Sequence, residues 1–409
     1  MTRMVRPRRV GRPALGGMVP LPTAIAPILS AVGLVLIGVM TINLLNGDLP
    51  LGPGGGPGSG PGNEGPNRTA APSNVVVVPE EAAFLGSIVY AKGGNIWIQS
   101  DKDVKQLTDG DGNIMPSWSA DGEWIVYIHT HDERGYWPVR GRNGRYDIEV
   151  PDLMRVRADG SAPPELLTTG YFEKGKLAWS SWIRQPVLSP DGTTIALVTD
   201  APKPDESNVV LQFFDVATKK LRRAGVREIE VLGHQDPEWR ADGKLLLYTQ
   251  NGRDGSRGAP VVMRYDTREG KARALTAAGY MQPAYSPDGR YFAATRTTTR
   301  GTDIAILDAS NGQEILRLTK DDASWAPVWS PAGDAIAFLH IVGQTVDLRL
   351  VTLQGSGPSW SVGEVVDLTE VSGLDASSGP DWFIPPAELP PPTPAPVTPA
   401  PASPSASPS

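Results

Sequence analysis

Pro283-Ala284-Tyr285-Ser286-Pro287-Asp288-Gly289 is one of six copies of a single phrase: a proline, a spacer, a large apolar residue, then a tight turn. The other complete copies begin at Pro116 (Trp118, Asp121-Gly122), Pro186 (Leu188, Asp191-Gly192), Pro237 (Trp239, Asp242-Gly243) and Pro327 (Trp329, Ala332-Gly333). The sixth, Pro380-Asp381-Trp382-Phe383, stops before its turn. Recurrence every roughly 45–70 residues is the spacing of four-stranded propeller blades with a few insertions.

The turn has a mechanism. In Ser-Pro-Asp-Gly, proline presets the negative φ of the second position, Asp suits the third, and Gly takes the left-handed fourth. A strand-like run follows each copy: Trp124-Ile-Val-Tyr127, Ile195-Ala-Leu-Val198, Leu245-Leu-Leu-Tyr248, Tyr291-Phe-Ala-Ala294 and Ile336-Ala-Phe-Leu339. A further apolar strand and one ending in Leu-Thr, as at Leu107-Thr108, Leu275-Thr276 and Leu318-Thr319, complete each unit. One unit alone cannot bury its faces, so the units must stack.

These residues resemble the PD40, or WD40-like, repeats of TolB-like six-bladed β-propellers, a periplasmic family. The resemblance covers residues 84–384 and implies an all-β propeller whose work is interaction. Departures are modest: Ala120 and Ala241 replace the turn proline, Ala332 the turn Asp, and Leu188 the aromatic. Ring closure is also legible. Ser87-Ile-Val-Tyr90, Asn95-Ile-Trp-Ile98 and Lys105-Gln-Leu-Thr108 supply three strands of a blade, and residues 380–384 supply the missing first one. A propeller closed by pairing of N- and C-terminal strands leaves no open sheet edge.

Outside the ring, residues 1–18 carry Arg3, Arg6, Arg8, Arg9 and Arg12 and no acid. Residues 24–45 form an uncharged apolar stretch long enough to cross a bilayer as a helix. The alternative is a cleaved secretory signal, but the run is long and lacks a small-x-small cleavage site. The expectation is therefore a basic cytoplasmic tail (1–18), a transmembrane helix (19–46), a Gly/Pro-rich linker (47–83), the propeller (84–384) and a Pro-rich disordered tail (385–409). Arginines on the N-terminal side place the propeller outside the cytoplasm. The chain has no Cys, so its stability rests on blade packing and not on disulfides. Its formal charge is −7, and without the five N-terminal arginines the rest is more acidic still, which argues against a nucleic-acid partner.

Chemistry-bearing motifs are few. His129-Thr130-His131 puts two imidazoles on one side of a strand, but spacing assigns no third metal ligand. Asp109-Gly-Asp111-Gly-Asn113 opens like a calcium loop, yet Ile114 and Ala120 stand where that loop needs Gly and Glu. No cofactor or metal site is expected, and Gly-x-Ser-x-Gly is absent. Trp118, Trp239, Trp329 and Trp382 repeat blade by blade and read as packing between blades.

What does not repeat is the better place to seek function. Residues 129–149 insert Arg134, Tyr136, Trp137, Arg140, Arg142, Arg145 and Tyr146, and residues 170–185 insert Tyr171, Phe172, Trp179, Trp182 and Arg184. The first insertion follows a second strand and the other a fourth strand. Antiparallel order therefore puts both on one rim, away from the linker and tail. A basic, aromatic rim suits recognition. The expected function is a membrane-anchored extracytoplasmic module that binds a protein or envelope component, its oligomeric state left open. A lyase- or hydrolase-type propeller enzyme with a site in the central channel is the alternative.

Overall fold

The computed structural model describes residues 84–101, 103–139, 142–201, 208–227, 233–251 and 259–391. The cytoplasmic tail, transmembrane helix and linker expected before residue 84, and residues 392–409 of the tail expected at 385–409, lie outside the described residues. Among those described, no helix is long and apolar enough to cross a membrane.

Six antiparallel sheets form the blades. Blade 1 combines β1 (Ser87–Lys92), β2 (Asn95–Ser100) and β3 (Val104–Gln106) with β26 (Asp381–Phe383) from the other end of the domain. Blade 2 holds β4 (Asn113–Trp118), β5 (Trp124–Val139), β6 (Arg142–Arg157) and β7 (Glu165–Thr169), with β8 (Tyr171–Lys174) and β9 (Leu177–Ser180) added. Blade 3 is β10 (Ile183–Leu188), β11 (Thr194–Thr199), β12 (Val210–Asp215) and β13 (Lys220–Arg223). Blade 4 is β14 (His234–Trp239), β15 (Leu245–Gln250), β16 (Val261–Asp266) and β17 (Lys271–Ala274). Blade 5 runs β18 (Tyr280–Tyr285), β19 (Tyr291–Thr297), β20 (Thr302–Asp308) and β21 (Glu314–Arg317). Blade 6 runs β22 (Ser324–Trp329), β23 (Ala335–Val342), β24 (Thr345–Gln354) and β25 (Ser361–Asp367).

The turn after each first strand forms as its residues dictate. In blade 2 the Gly122 N–H donates to the Ser119 carbonyl at 2.9 Å, and Gly122 takes φ 71°. The Asp121 carboxylate accepts from the Ser119 hydroxyl and the Glu123 N–H at 2.5 and 2.9 Å. Asp191 and Asp288 do the same in blades 3 and 5. In blade 6, where Ala332 replaces the turn Asp, Asp334 accepts from the Ser330 hydroxyl at 2.8 Å instead. The turn thus keeps a carboxylate from a different position.

The proline that opens each phrase has its own consequence. It has no N–H to give to the ladder, and the first strands of blades 2 to 6 bulge there: the β4–β5 register, for example, shifts between Ile114 and Ser117, and the β14–β15 register between Gln235 and Glu238. The residue before the proline is left-handed in five blades: Met115, Gln185, Asp236, Gln282 and Ala326, with φ of 55°, 52°, 50°, 52° and 49°. That conformation is strained for a residue with a side chain. Each freed N–H finds a partner in the preceding blade: Met115 donates to Ser378 Oγ (3.0 Å), Gln185 to Met115 Sδ (3.4 Å), Asp236 to Gln185 Oε1 (3.0 Å), Gln282 to Thr249 Oγ1 (2.9 Å) and Ala326 to Gln282 Oε1 (3.2 Å). A belt of hydrogen bonds runs around the channel.

In blade 1, β26 pairs with β1 as Ser87–Phe383, Ile88–Trp382 and Val89–Asp381. The Trp382 indole N–H donates to the Leu85 carbonyl at 2.9 Å, and Phe84 meets its ring edge-on at 5.6 Å. Gly86, at φ 75°, lies where any Cβ would strike the Phe383 carbonyl and Ile384, so this crossing needs glycine. Of the repeated Trp residues, Trp118, Trp329 and Trp382 are buried, whereas Trp239 is only half-buried. Because a buried Trp such as Trp382 carries several kcal/mol, deletion of residues 380–409 is expected to lower the melting midpoint sharply or cause aggregation. Deletion of 386–409 should leave it at the parental value. Equal melting curves for the two truncations would show that the β26–β1 pairing holds little.

Candidate functional site

The two insertions are strands, not loops. β5 and β6 each run 16 residues and stay paired from Trp124–Arg157 out to Val139–Arg142, which makes a long hairpin arm. β8 and β9 form a second hairpin that joins the arm at Tyr136–Ala178, giving the order β7-β6-β5-β9-β8. Gly135 permits this junction: a Cβ there would meet Ile148 at 2.8 Å and the Ala178 carbonyl at 3.3 Å.

Pleating divides the arm into two faces, because directly paired residues share a face and neighbours along a strand alternate. The register puts Trp137, Tyr146, Ile148, Phe172, Leu177 and Trp179 on one face. There Trp179 stacks on Phe172 at 5.9 Å and meets Trp137 edge-on at 5.7 Å, all three rings half-buried. The other face carries Arg134, Tyr136, Arg145, Asp147 and Tyr171. On it Arg134 pairs with Asp147 at 2.6 Å and the Arg145 guanidinium lies 5.8 Å from the Tyr136 ring centre. The Tyr171 hydroxyl sits 3.0 Å from the Glu173 carboxylate and 3.4 Å from the Arg134 carbonyl.

The aromatic and basic residues expected to form one patch are therefore split between opposite faces of a sheet. Arg140 lies outside the described residues, and Arg142 is placed only by its backbone, opposite Val139 at the hairpin tip. Trp182 stands at the foot of the arm, where its N–H donates to Asp200 Oδ1 at 2.7 Å. Arg184 belongs to the channel: it is on the inner strand β10, 5.9 Å from the Trp182 ring, and feels the charges of Asp236, Asp375 and Glu149.

The channel was not legible as a chemical site. It encloses a cavity of about 140 Å³ walled by the first strands of all six blades, with Gln185, Asp236, Glu238, Gln282 and Asp381 beside the repeated prolines. Glu238 and Asp381 occupy equivalent places, each just after its proline. Glu238 accepts the Tyr285 N–H of the next blade. Asp381 accepts the Trp118 N–H (2.8 Å) and the Ser117 hydroxyl (2.9 Å) of its next blade. Burial pushes the Glu238 carboxyl up to about 8, helped by the nearby Asp381 charge, and pushes Asp236 up to about 6. The signal that could have found these residues is the variable position on either side of each repeated proline.

The histidines do not meet there. His129 faces Asn113 Oδ1 at 3.0 Å and stacks on His131, which lies 3.6 Å from Asp152. His234 is buried against Tyr248, and burial pushes it down to about 4. His340 sits between Ser324 and Asp321. Among the described residues no group of three metal-ligating side chains forms.

Six blades around a carboxylate- and glutamine-lined channel, with one two-faced arm, define a six-bladed β-propeller. No protein-family model matches the chain. It is 28% identical over 262 residues to the Tol-Pal system protein TolB of Francisella tularensis subsp. tularensis, covering 61% of this chain and 52% of that one. For the holarctica subspecies the match is 28% over 275 residues, covering 63% and 55%. The chain thus spans about half the length of the curated relatives it matches. Among solved structures, TolB from Acinetobacter baumannii matches with a TM-score of 0.51 at 18% identity, covering 73% of this chain and 66% of that one. A putative TolB from Agrobacterium tumefaciens matches with 0.51 at 17%, covering 75% and 96%. The described residues fold as a six-bladed β-propeller similar to that of TolB.

A carboxyl whose folded value is raised stabilises the fold while protonated, fully below its ordinary 4.5, and loses that contribution as pH rises through about 8. Glu238→Gln, which stays neutral, should melt with the parent near pH 4 and a few degrees above it near pH 9. A variant less stable at both values would show that the Glu238 hydrogen bond outweighs its burial.

Proposed function

We propose that this protein is an extracytoplasmic binding module, not an enzyme, which captures a protein or envelope component through the β5–β6 arm and its β8–β9 partner. The carrying observation is the arm's apolar face: Trp137 and Phe172 each against Trp179, all half-buried, on strands continuous with a blade. Aromatic anchors held on a preorganised sheet are what concentrate binding energy in an interface. The tie of the channel carboxylates to backbone donors of the next blade supports a structural use for them. The similar Francisella proteins carry the name of the Tol-Pal system, which agrees with work at the cell envelope.

The ring is held shut by the mixed blade, and residues 19–46 anchor the chain in the membrane with the N-terminus inside. β26 ends and β1 begins on the rim that bears the Ser-Pro-Asp-Gly turns, so linker and tail leave there and the arm projects from the opposite rim, away from the bilayer. Trp137→Ala combined with Phe172→Ala in the full chain should weaken capture of envelope partners at least about tenfold while shifting the melting midpoint little. Undiminished capture, or a large loss of stability, would make the arm a packing element. The anchor is checked separately: the full chain should stay with membranes after carbonate washing, whereas a soluble form beginning near residue 46 would mean cleavage.

A further inference from the structure

The blade junctions on the turn-bearing rim are built from equivalent positions that the molecule fills differently. Between blades 5 and 6, Trp360 sits edge-on to Tyr291 at 4.7 Å and against Trp329 at 5.5 Å, in an apolar setting that includes Ile306, Leu316, Val351 and Leu353. Between blades 1 and 2, Phe383 lies on Trp118 at 5.3 Å. In blade 2 the position of Tyr291 is held by Trp124, which Arg155 and Arg157 cover at 4.3 and 4.1 Å.

Strand registers place Thr194, Phe213, Arg222, Trp239, Tyr265 and Thr267 at the corresponding positions between blades 3 and 4. There no described residue plays the part of Trp360, and an open crevice of about 460 Å³ remains, a size typical of ligand pockets. Phe213 and Tyr265 form its buried floor and Trp239 its half-buried wall. The Arg222 guanidinium stands 4.4 Å from the Phe213 ring centre, poised to cover a second ring as Arg155 and Arg157 cover Trp124.

We propose that this crevice is a docking pocket for an aromatic side chain of another protein, borne on an extended segment of small residues and proline. The molecule itself displays the fit, since Trp360 is carried by Gly355-Ser356-Gly357-Pro358-Ser359 into the equivalent junction. The chain's own undescribed segments cannot supply the occupant: residues 1–83, 202–207, 228–232, 252–258 and 392–409 contain no Phe, Tyr or Trp. This surface lies on the rim opposite the arm and is independent of it.

The probe is a blocked peptide, Gly-Pro-Ser-Trp-Ser, copied from residues 357–361 and carrying a fluorinated indole, titrated with the full chain and read by fluorine NMR. Saturable broadening is expected, reversed by the unlabelled peptide but not by the same peptide with Ala for Trp. Two variants borrow residues that other blades already use at these positions. Trp239→Leu, matching Leu188, should weaken binding about tenfold or more. Thr194→Tyr, matching Tyr291, adds an edge-on ring and should tighten it roughly threefold or more. Absence of saturable binding by the parent overturns the proposal, and so does a dissociation constant that Thr194→Tyr leaves unchanged. Binding lost in Trp137→Ala but kept in Trp239→Leu would also overturn it by moving the peptide to the arm.

Discussion

Everything in this ring depends on how one missing hydrogen-bond donor is handled. In five of the six blades a proline near the middle of the inner strand breaks the ladder, the strand bulges, and the residue ahead of it turns left-handed with its N–H freed from the ladder. A buried donor without a partner is costly. The donors are met from the preceding blade, through Ser378, Met115, Gln185, Thr249 and Gln282 in turn. The defect in each strand thereby becomes the contact that sets the next blade's position. Apolar packing between blades supplies most of the stability, but packing alone is tolerant of small rotations. Directional bonds at the axis are not.

The fold was legible because its devices are local and repeated. A turn of the Ser-Pro-Asp-Gly kind forms from residues within five positions, so five such turns and the truncated sixth phrase announce six blades wherever they sit. Even Ala332, a departure, was harmless, since Asp334 supplies the carboxylate from nearby. The pairing of Ser87–Lys92 with Asp381–Phe383 could be read because each end lacked what the other held. The role of the proline was not legible: φ of the preceding residue is set by a bulge that only sheet pairing creates.

The candidate site was half legible. Composition located the insertions, and strand parity put them on one rim. It could not tell that they continue β5 and β6 as strands, and period-2 alternation then separates Trp137 from Arg134 across the sheet. Arg184 was misplaced for a related reason: it follows the second insertion in sequence but belongs to the inner strand β10, which turns it toward Asp236 and Asp375. Distance along the chain is a poor guide to neighbourhood once a hairpin has folded back.

The left-handed position before the proline in blades 2 to 6 has an evolutionary consequence. Branching at Cβ is penalised there, and the five occupants are Met115, Gln185, Asp236, Gln282 and Ala326, with no Val, Ile or Thr among them. Within that filter any unbranched residue is admissible, whether sulfur, amide, acid or none. The inner surface can thus be rewritten one blade at a time while the outer strands stay as they are. A lineage of such rings could explore many channel chemistries by single substitutions, with the scaffold unaware of the change.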